Sequence, residues 1–412
     1  MPDVFDPRVF ARGVPHEAFR QLRDTEPVCW QQETEVLGWP AGPGYWAVTR
    51  YADVRHVLRS PELFSSRLGA TQIRDPDPSD LDFIRRMILN MDPPEHNRLR
   101  KIVTAAFTRR RLERLTSEIS ARARTLLAAA GSRGRCDLPA EVTDEFPLAN
   151  LSDLLGVPAA DRELLLRWTN RVIGYQDPEH AEVVRDAGGR PVNPRSPAAL
   201  ADMFGYATVL AADKRRHPAD DLMTALASAS VDGRSLDDAE LAMFFFLLVI
   251  AGNDTVRSAL PGGVLVFAQH PDAYRRLRAE PGLMATAIEE VLRWHPPVLS
   301  FRRTAAQDTE LAGRPIRRGD KVVVYHVSAN YDERAFPDPH TFDIGRDPND
   351  HLAFGQGPHL CLGAHFARLQ MRCFFTELLA VAPRIELDGE PVRLTSNFIN
   401  GITHLPVRWT SR

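Results

Sequence analysis

The stretch from Asp237 to Gln269 constrains this chain most. It holds the longest apolar run in the sequence, LAMFFFLLVIA from Leu241 to Ala251, and helical spacing continues to Gln269. A helix that is apolar all round is stable only when enclosed by a protein core or by lipid. The run has 11 residues, against the roughly 20 that a bilayer span needs, and it leads into Gly-Asn-Asp. The pattern therefore predicts a buried central helix with the other elements layered around it.

The remaining chain suits such a core. Hydrophobic residues make up 44% and charged residues 25% of its 412 residues, which is the balance of a globular protein. No repeat, low-complexity block or clear linker divides it, so one domain over residues 1–412 is expected. A formal net charge of -3 provides no drive towards nucleic acid or anionic lipid. The N-terminal MPDVFDPRVFARG is broken by proline and lacks the apolar core of a signal peptide. Cys29, Cys136, Cys361 and Cys373 are widely spaced with no CxxC pair, which argues against a disulfide framework or structural zinc and fits a reducing compartment. A soluble, cytoplasmic protein without a membrane anchor is expected.

Most other segments also read as helices. YADVRHVLRS, RLRKIVTAAF after MDPPEHN, RLERLTSEISARARTLLAAA, and AYRRLRAEPGLMATAIEEVLRW with a break near Pro281 all carry helical spacing. GYQDPEHAEVVRDAGGRPVNPRSPAA reads as a surface connection. GYWAVT, the β-branched run Val322 to Val324 after the Arg318-Gly319-Asp320 turn, and PVRLTSNFINGITHLPVRW read as strands. The fold class is mainly α with small β-sheets.

One loop carries the chemistry. In HLAFGQGPHLCLGAHFARLQ, residues 351 to 370, Cys361 follows glycines, Pro358 and His359 and precedes a helix-forming stretch. Gly355 and Gly357 permit unusual backbone angles and close approach to a flat partner. A sulfur at a helix N-terminus is pushed towards thiolate from the usual pKa of about 8.5. Inert core packing, a nucleophile with His359 as its base, and a single axial ligand to haem iron are all open on these residues alone.

Three further stretches bear on the choice. In AGNDTV, the Thr255 hydroxyl is placed to bond the Ala251 carbonyl and open the helix into a groove beside Asp254; a polar interruption of a core helix is the alternative. In EEVLR, Glu290 and Arg293 stand at i and i+3 as a helical ion pair. In MDPPEHNRLRK, His96 and Arg100 share a helical face that suits carboxylates, or simply a basic surface.

Together these residues resemble the cytochrome P450 family of haem-thiolate monooxygenases, in its soluble bacterial form, from about Tyr45 to the C-terminus. Phe354, Gly357, His359, Cys361 and Gly363 match F-x-x-G-x-H/R-x-C-x-G; Ala251, Gly252, Asp254 and Thr255 match A-G-x-D/E-T; Glu290 and Arg293 match E-x-x-R. The resemblance implies a triangular α-rich prism with a long central helix over the haem. It implies haem b held by Cys361 as metal ligand, with Phe354 tuning the iron and His96, Arg100, Arg303 and His359 on the propionates. Ala251 and Gly363 join this cofactor site. Asp254 and Thr255 then hold O2 and deliver protons, and Glu290 and Arg293 form a structural pair beneath the haem. The family's P-x-R-F element has Thr341 in place of its arginine here, so Arg346 substitutes or the network is reduced.

No G-x-G-x-x-G fingerprint or ferredoxin cysteine cluster is present, so the resemblance implies NAD(P)H electrons arriving through a ferredoxin reductase and a ferredoxin. Arg98, Lys101, Arg109, Arg110 and Arg111 are a candidate basic docking face. Matching to the family puts Leu247, Ala251, Leu299 and Ile399 around a substrate pocket, with LGATQI (Leu68 to Ile73) and RVIGYQ (Arg171 to Gln176) as its variable loops. Such walls suit a hydrophobic substrate. GPGYWAVTRY, LNMDPPEHNRLR and SNFINGITHLP are similar to members that hydroxylate sterols, terpenoids or branched lipids, and a monomer is expected. The alternatives are a tailoring oxidase for a polyketide, peptide or aromatic metabolite, and a haem-thiolate sensor or carrier without turnover.

Overall fold

The computed structural model describes residues 2–37, 39–173, 176–177, 184–185, 193–194, 196–231 and 233–409. The helices that frame the site are α1 (Glu95–Ala106), α2 (Thr116–Gly131), α3 (Glu145–Leu155), α4 (Asp238–Gln269), α5 (Met284–Trp294) and α6 (Ala364–Val381). The central helix α4 has 32 residues and starts on a reciprocal cap. Asp237 accepts from the Glu240 backbone N–H at 2.8 Å, and Glu240 accepts from the Asp237 N–H at 3.1 Å. At this length α4 is apolar enough to cross a membrane, which the 11-residue run by itself did not reveal. It is instead enclosed by protein: Leu241 through Phe267 are mostly buried, against α3, α5 and α6 among others.

A five-stranded sheet forms the second layer. Its strands are β1 (Val28–Gln31), β2 (Tyr45–Val48), β3 (Phe64–Ser65), β4 (Ser300–Ala305) and β5 (Lys321–Tyr325), in the order β1-β2-β5-β4-β3. The β2/β5 pair is parallel and the other pairs are antiparallel. Every residue of β5 is buried because both faces are covered: Val323 and Tyr325 join one apolar cluster, Val322 and Val324 the other. Lys321 is tolerated there because its ammonium meets Glu33 at 2.6 Å and Asp75 at 2.7 Å.

Two expectations change. The helix over RLERLTSEISARARTLLAAA is two, Arg109–Arg114 and α2, meeting at Leu115. The C-terminal strands do not pair only with each other: Val392–Arg393 pairs with Ile402–His404, while Pro406–Arg408 runs between Glu386–Leu387 and the distant Arg135–Asp137. Most of the 174–192 segment lies outside the described residues.

Glu290 anchors the part of the fold that leads to the cysteine loop. Its side chain and that of Arg293 are fully buried. Arg293 grips the carboxylate with two bonds of 2.8 Å and donates its remaining terminal nitrogen to the carbonyls of Asn330 and Pro339, both at 2.9 Å. Arg346 supplies the third charge, its Nε 3.2 Å from Glu290 Oε2, while its Nη2 bonds the Thr341 carbonyl at 3.0 Å. Substitution by Arg346, not a reduced network, is the structure's answer to Thr341. Asn349 at 3.0 Å and the Asp343 N–H at 3.1 Å complete the shell. Removing one member of such a set leaves buried charge uncompensated. Glu290→Gln is expected to lower unfolding stability by about 3–5 kcal/mol in urea titrations of the holoprotein; a loss below about 1 kcal/mol would mean that the network is only a surface-like pair.

Candidate active site

A cavity of about 230 Å³ lies between α4 and the cysteine loop. Its roof is one face of α4, where Leu247, Ala251 and Thr255 recur at four-residue spacing beside Leu248, Gly252 and Val256. The Thr255 hydroxyl donates to the Ala251 carbonyl at 2.8 Å, as the sequence predicts.

The floor is the 354–363 loop, which turns through a short helical segment, Gly357–His359. Gly355 and Gly357 have φ of +69° and +71°, angles that other residues resist. A Cβ on Gly357 would come within 2.4 Å of the Leu58 carbonyl oxygen. Its close approach is thus to the Tyr51–Arg59 helix, not to a flat partner in the cavity. The Cys361 N–H bonds the Phe354 carbonyl at 2.9 Å, and the sulfur opens onto the cavity. Cys361 stands just ahead of α6, whose N-cap is Gly363. Cys361 is exposed to the cavity, yet the protein packed around it desolvates the thiol and pushes it up, and the Gly363 N–H, Arg100 and Arg368 oppose that. A helix end alone favours a thiolate, and here desolvation outweighs it.

One end of the cavity is cationic. His96 and Arg100 come from α1, Arg303 from β4 and His359 from the loop. The His96 and His359 rings lie 4.2 Å apart. Arg303 is buried and donates to the Arg302 carbonyl at 2.9 Å; Arg100 donates to the Leu360 carbonyl. Neither meets a carboxylate among the described residues. Burial lowers all four, Arg303 to about 10, and His359 further feels Arg303, His96 and Arg100.

Sequence reasoning missed His326, which follows β5 and lines the same end. It is 1% exposed, and burial, aided by Arg303 and opposed by a hydrogen bond to the Val298 backbone, pushes it down to about 4. No spacing marked it, because β4 and β5 converge only through the sheet.

Other expected residues stand elsewhere. Asp254 faces a separate chamber of about 40 Å³ behind α4, with Arg257, Asn170 and Ile399. One helical step is about 100°, so neighbours 254 and 255 present to different sides. Arg257 stands 3.7 Å from Asp254 and is held at 2.7 Å by both Asp144 and Asn170. Asp254 Oδ2 has no partner among the described residues, and burial raises the carboxyl to about 7 against the pull of Arg257.

Leu299 does not line the cavity. It packs in the apolar cluster of Val323 and Tyr325, and Val298 and Phe301 take the wall; the chain enters the strand only at Ser300, so simple alternation does not extend back to Leu299. Ile399 sits across the bridge from Val298 and fills core beside the smaller chamber. Leu68–Ile73 is also off the wall: its Thr71 carbonyl accepts from the Arg302 N–H at 2.9 Å, and Ile88 and Leu89 line the cavity instead. Gly174 and Tyr175 of the second proposed loop lie outside the described residues, and Arg171, Val172, Ile173 and Gln176 are not on the wall.

Comparison with known proteins gives concordant matches. A family model described as Cytochrome P450 matches residues 202–381. A steroid C26-monooxygenase of Mycobacterium tuberculosis is 38% identical over 100% of this chain and 93% of its own length. A methyl-branched lipid omega-hydroxylase of the same species is 40% identical over 95% of this chain and 90% of its own. Among solved structures, a Mycobacterium marinum cytochrome P450 in complex with pseudoionone superposes with a TM-score of 0.86 at 38% identity, covering 99% of each chain. Likeness of this extent, over a cavity built between a threonine-bearing central helix and a cysteine loop, shows that the chain belongs to the cytochrome P450 family of monooxygenases, which use haem b reduced by external redox partners.

Proposed function

We propose that this monooxygenase, acting as one domain over residues 1–412, hydroxylates a peripheral carbon of a sterol or methyl-branched lipid, with Cys361 as the thiolate that would hold the haem iron. The observation that carries this reading is that Cys361 and Thr255 line the same apolar cavity, one from the floor and one from the roof. The residues fit haem b on the chain's own chemistry. A cationic end with two arginines lacking carboxylate partners among the described residues suits paired propionates, apolar walls suit the macrocycle, and a cysteine open at the cavity floor suits a cation.

In this reading His96, Arg100, Arg303 and His359 take the propionates, while Ala251, Phe354 and Gly363 contact the macrocycle or its ligand loop. When bound, haem b supplies the iron centre at which O2 is activated. Leu247, Ala251, Val298 and Phe301 hold the substrate by apolar contact and exclude water. Thr255, its hydroxyl hydrogen directed at the Ala251 carbonyl, presents oxygen lone pairs to the cavity. Asp254 Oδ2 holds a proton behind the helix that is available near neutral pH.

Three expected outcomes test this reading. The reduced, carbon monoxide-bound protein should show a strongly red-shifted Soret band that Cys361→Ser abolishes. Adding a steroid with its side chain, a methyl-branched fatty acid or pseudoionone should shift the resting haem from low to high spin and lead to hydroxylated product. Shifts confined to polyketides, peptides or aromatic metabolites would transfer the substrate assignment to that class, and a haem band without turnover would indicate a sensor or carrier.

Thr255→Ala and Asp254→Asn should each divert electrons to hydrogen peroxide; unchanged product per NAD(P)H would remove both from proton delivery. Asp254 also has a stability signature. Its folded pKa of about 7 exceeds the unfolded value of 3.8, so the folded state binds this proton more tightly. Wild type should therefore lose stability relative to Asp254→Asn as pH rises from about 4 to about 7, by on the order of 2–4 kcal/mol, with a plateau above. A difference that does not vary with pH in urea titrations would contradict the buried, protonated carboxyl.

The electron donor in this reading is a ferredoxin served by its reductase, acting on a soluble, cytoplasmic monomer. The docking face is narrower than the sequence suggests: Arg98 pairs with Glu240 at 3.0 Å and Arg111 with Asp220 at 3.5 Å, and the side chain of Arg109 lies outside the described residues. Lys101 and Arg110 are exposed. Lys101→Glu with Arg110→Glu should slow reduction by ferredoxin about tenfold at low salt and flatten its salt dependence; unchanged kinetics would place the partner elsewhere.

A further inference from the structure

Behind the cysteine loop lies a charged cluster that the roles above do not use. Arg368 of α6 forms a two-pronged ion pair with Glu289 of α5, both contacts at 2.7 Å. Its guanidinium carbon sits 4.4 Å from the centre of the Phe354 ring. The His351 Nδ1 accepts from the Ala353 N–H at 3.2 Å, which leaves Nε2 to donate to Glu289 at 3.2 Å. Glu289 is thereby held ionised, its pKa drawn down to about 2 by Arg368 and His351 against the cost of burial. The cluster thus ties α5, α6 and the 351–354 segment to one point.

That point is next to the ligand loop. Phe354 lines the cavity, and its carbonyl accepts the Cys361 N–H at 2.9 Å. The Arg368 charge is thus held against the ring of the residue whose carbonyl fixes Cys361. A cation held on an aromatic face is fixed in orientation, and the paired carboxylate partly cancels its field at longer range. We propose that Arg368 and Glu289 are positioning residues that set how strongly Cys361 donates to the haem iron, Arg368 weakening the donation and Glu289 restoring it, with Phe354 as the spacer between charge and sulfur. The proposal rests on Cys361 being the thiolate ligand. Charges and hydrogen bonds around a ligating sulfur are recognised levers on haem reduction potential.

The two charges act in opposite directions, and so should their removal. Arg368→Gln leaves Glu289 unbalanced near the sulfur, disfavours one-electron reduction of ferric haem, and lowers the midpoint potential. Glu289→Gln leaves Arg368 unbalanced and raises it. Each change is expected to be about threefold to tenfold in the reduction equilibrium, or about 30–60 mV at 59 mV per tenfold for one electron. Arg368→Lys, which keeps the charge, should stay within about twofold of wild type, and the double variant Arg368→Gln with Glu289→Gln should return towards it.

Midpoint potentials of the holoproteins, titrated with dithionite and followed by haem absorbance, give the answer. Potentials that move in the same direction for both single variants would show a general loosening of the loop and overturn the proposal. So would potentials that do not move, in proteins whose reduced, carbon monoxide-bound spectra show the red-shifted Soret band. Absence of that band in wild type would instead overturn the Cys361 ligand assignment itself. If one single variant fails to take up haem, the remaining one together with Arg368→Lys still decides the sign.

Discussion

The buried carboxylate of Glu290 is the interaction on which the rest of this structure depends. A carboxylate without solvent is costly unless its oxygens are filled and its charge is met. Here two guanidinium groups, an amide and a backbone N–H converge on it. Arg293 stands on the same helix as Glu290, but its other donors reach carbonyls near residues 330 and 339, and Arg346 comes from farther along. The network therefore fastens an irregular stretch to a helix. That stretch, poor in regular structure, runs directly into the cysteine loop, so the sulfur's position under α4 is inherited from the ion network.

A second consequence concerns charge. The cavity gathers cationic side chains at one end and has apolar walls elsewhere, and the sulfur sits at its floor. Burial opposes charge on every one of these groups: it lowers the histidines and arginines and raises the thiol. Such a constellation is unfavourable in isolation and favourable around a flat apolar molecule with anionic arms and a metal cation at its centre. In the proposed reading, local destabilisation of the polypeptide and affinity for the cofactor are the same property. Asp254 shows a related logic behind the helix, where burial keeps a carboxyl near neutrality beside an arginine that is largely committed to Asp144 and Asn170.

Residues whose roles depend on local geometry were legible. The Thr255–Ala251 bond follows from four-residue spacing on a helix, and the Glu290–Arg293 pair follows from three-residue spacing. The start of α4 follows from an Asp237–Glu240 capping box. His96 and Arg100 on one face of α1 do meet the cavity. Where the sequence misled, a longer-range contact was responsible. Gly357 is small because the backbone at Leu58 crosses it, and Leu299 is drawn into the core with Val323 and Tyr325, which leaves the wall to Val298 and Phe301. His326 was invisible because it reaches the cavity only through the pairing of distant strands.

The sequence by itself determined the chemistry: a cysteine loop, a threonine-bearing apolar helix and an acid–base pair at fixed helical spacing, all recognisable because helix periodicity and turn residues act over a few positions. Tertiary structure decided which third charge completes the Glu290 network, that Asp254 lies behind the central helix rather than in the cavity, and that Arg368 sits over Phe354. These outcomes depend on how separate elements pack and on which groups packing removes from water. Neither is encoded at any fixed spacing along the chain.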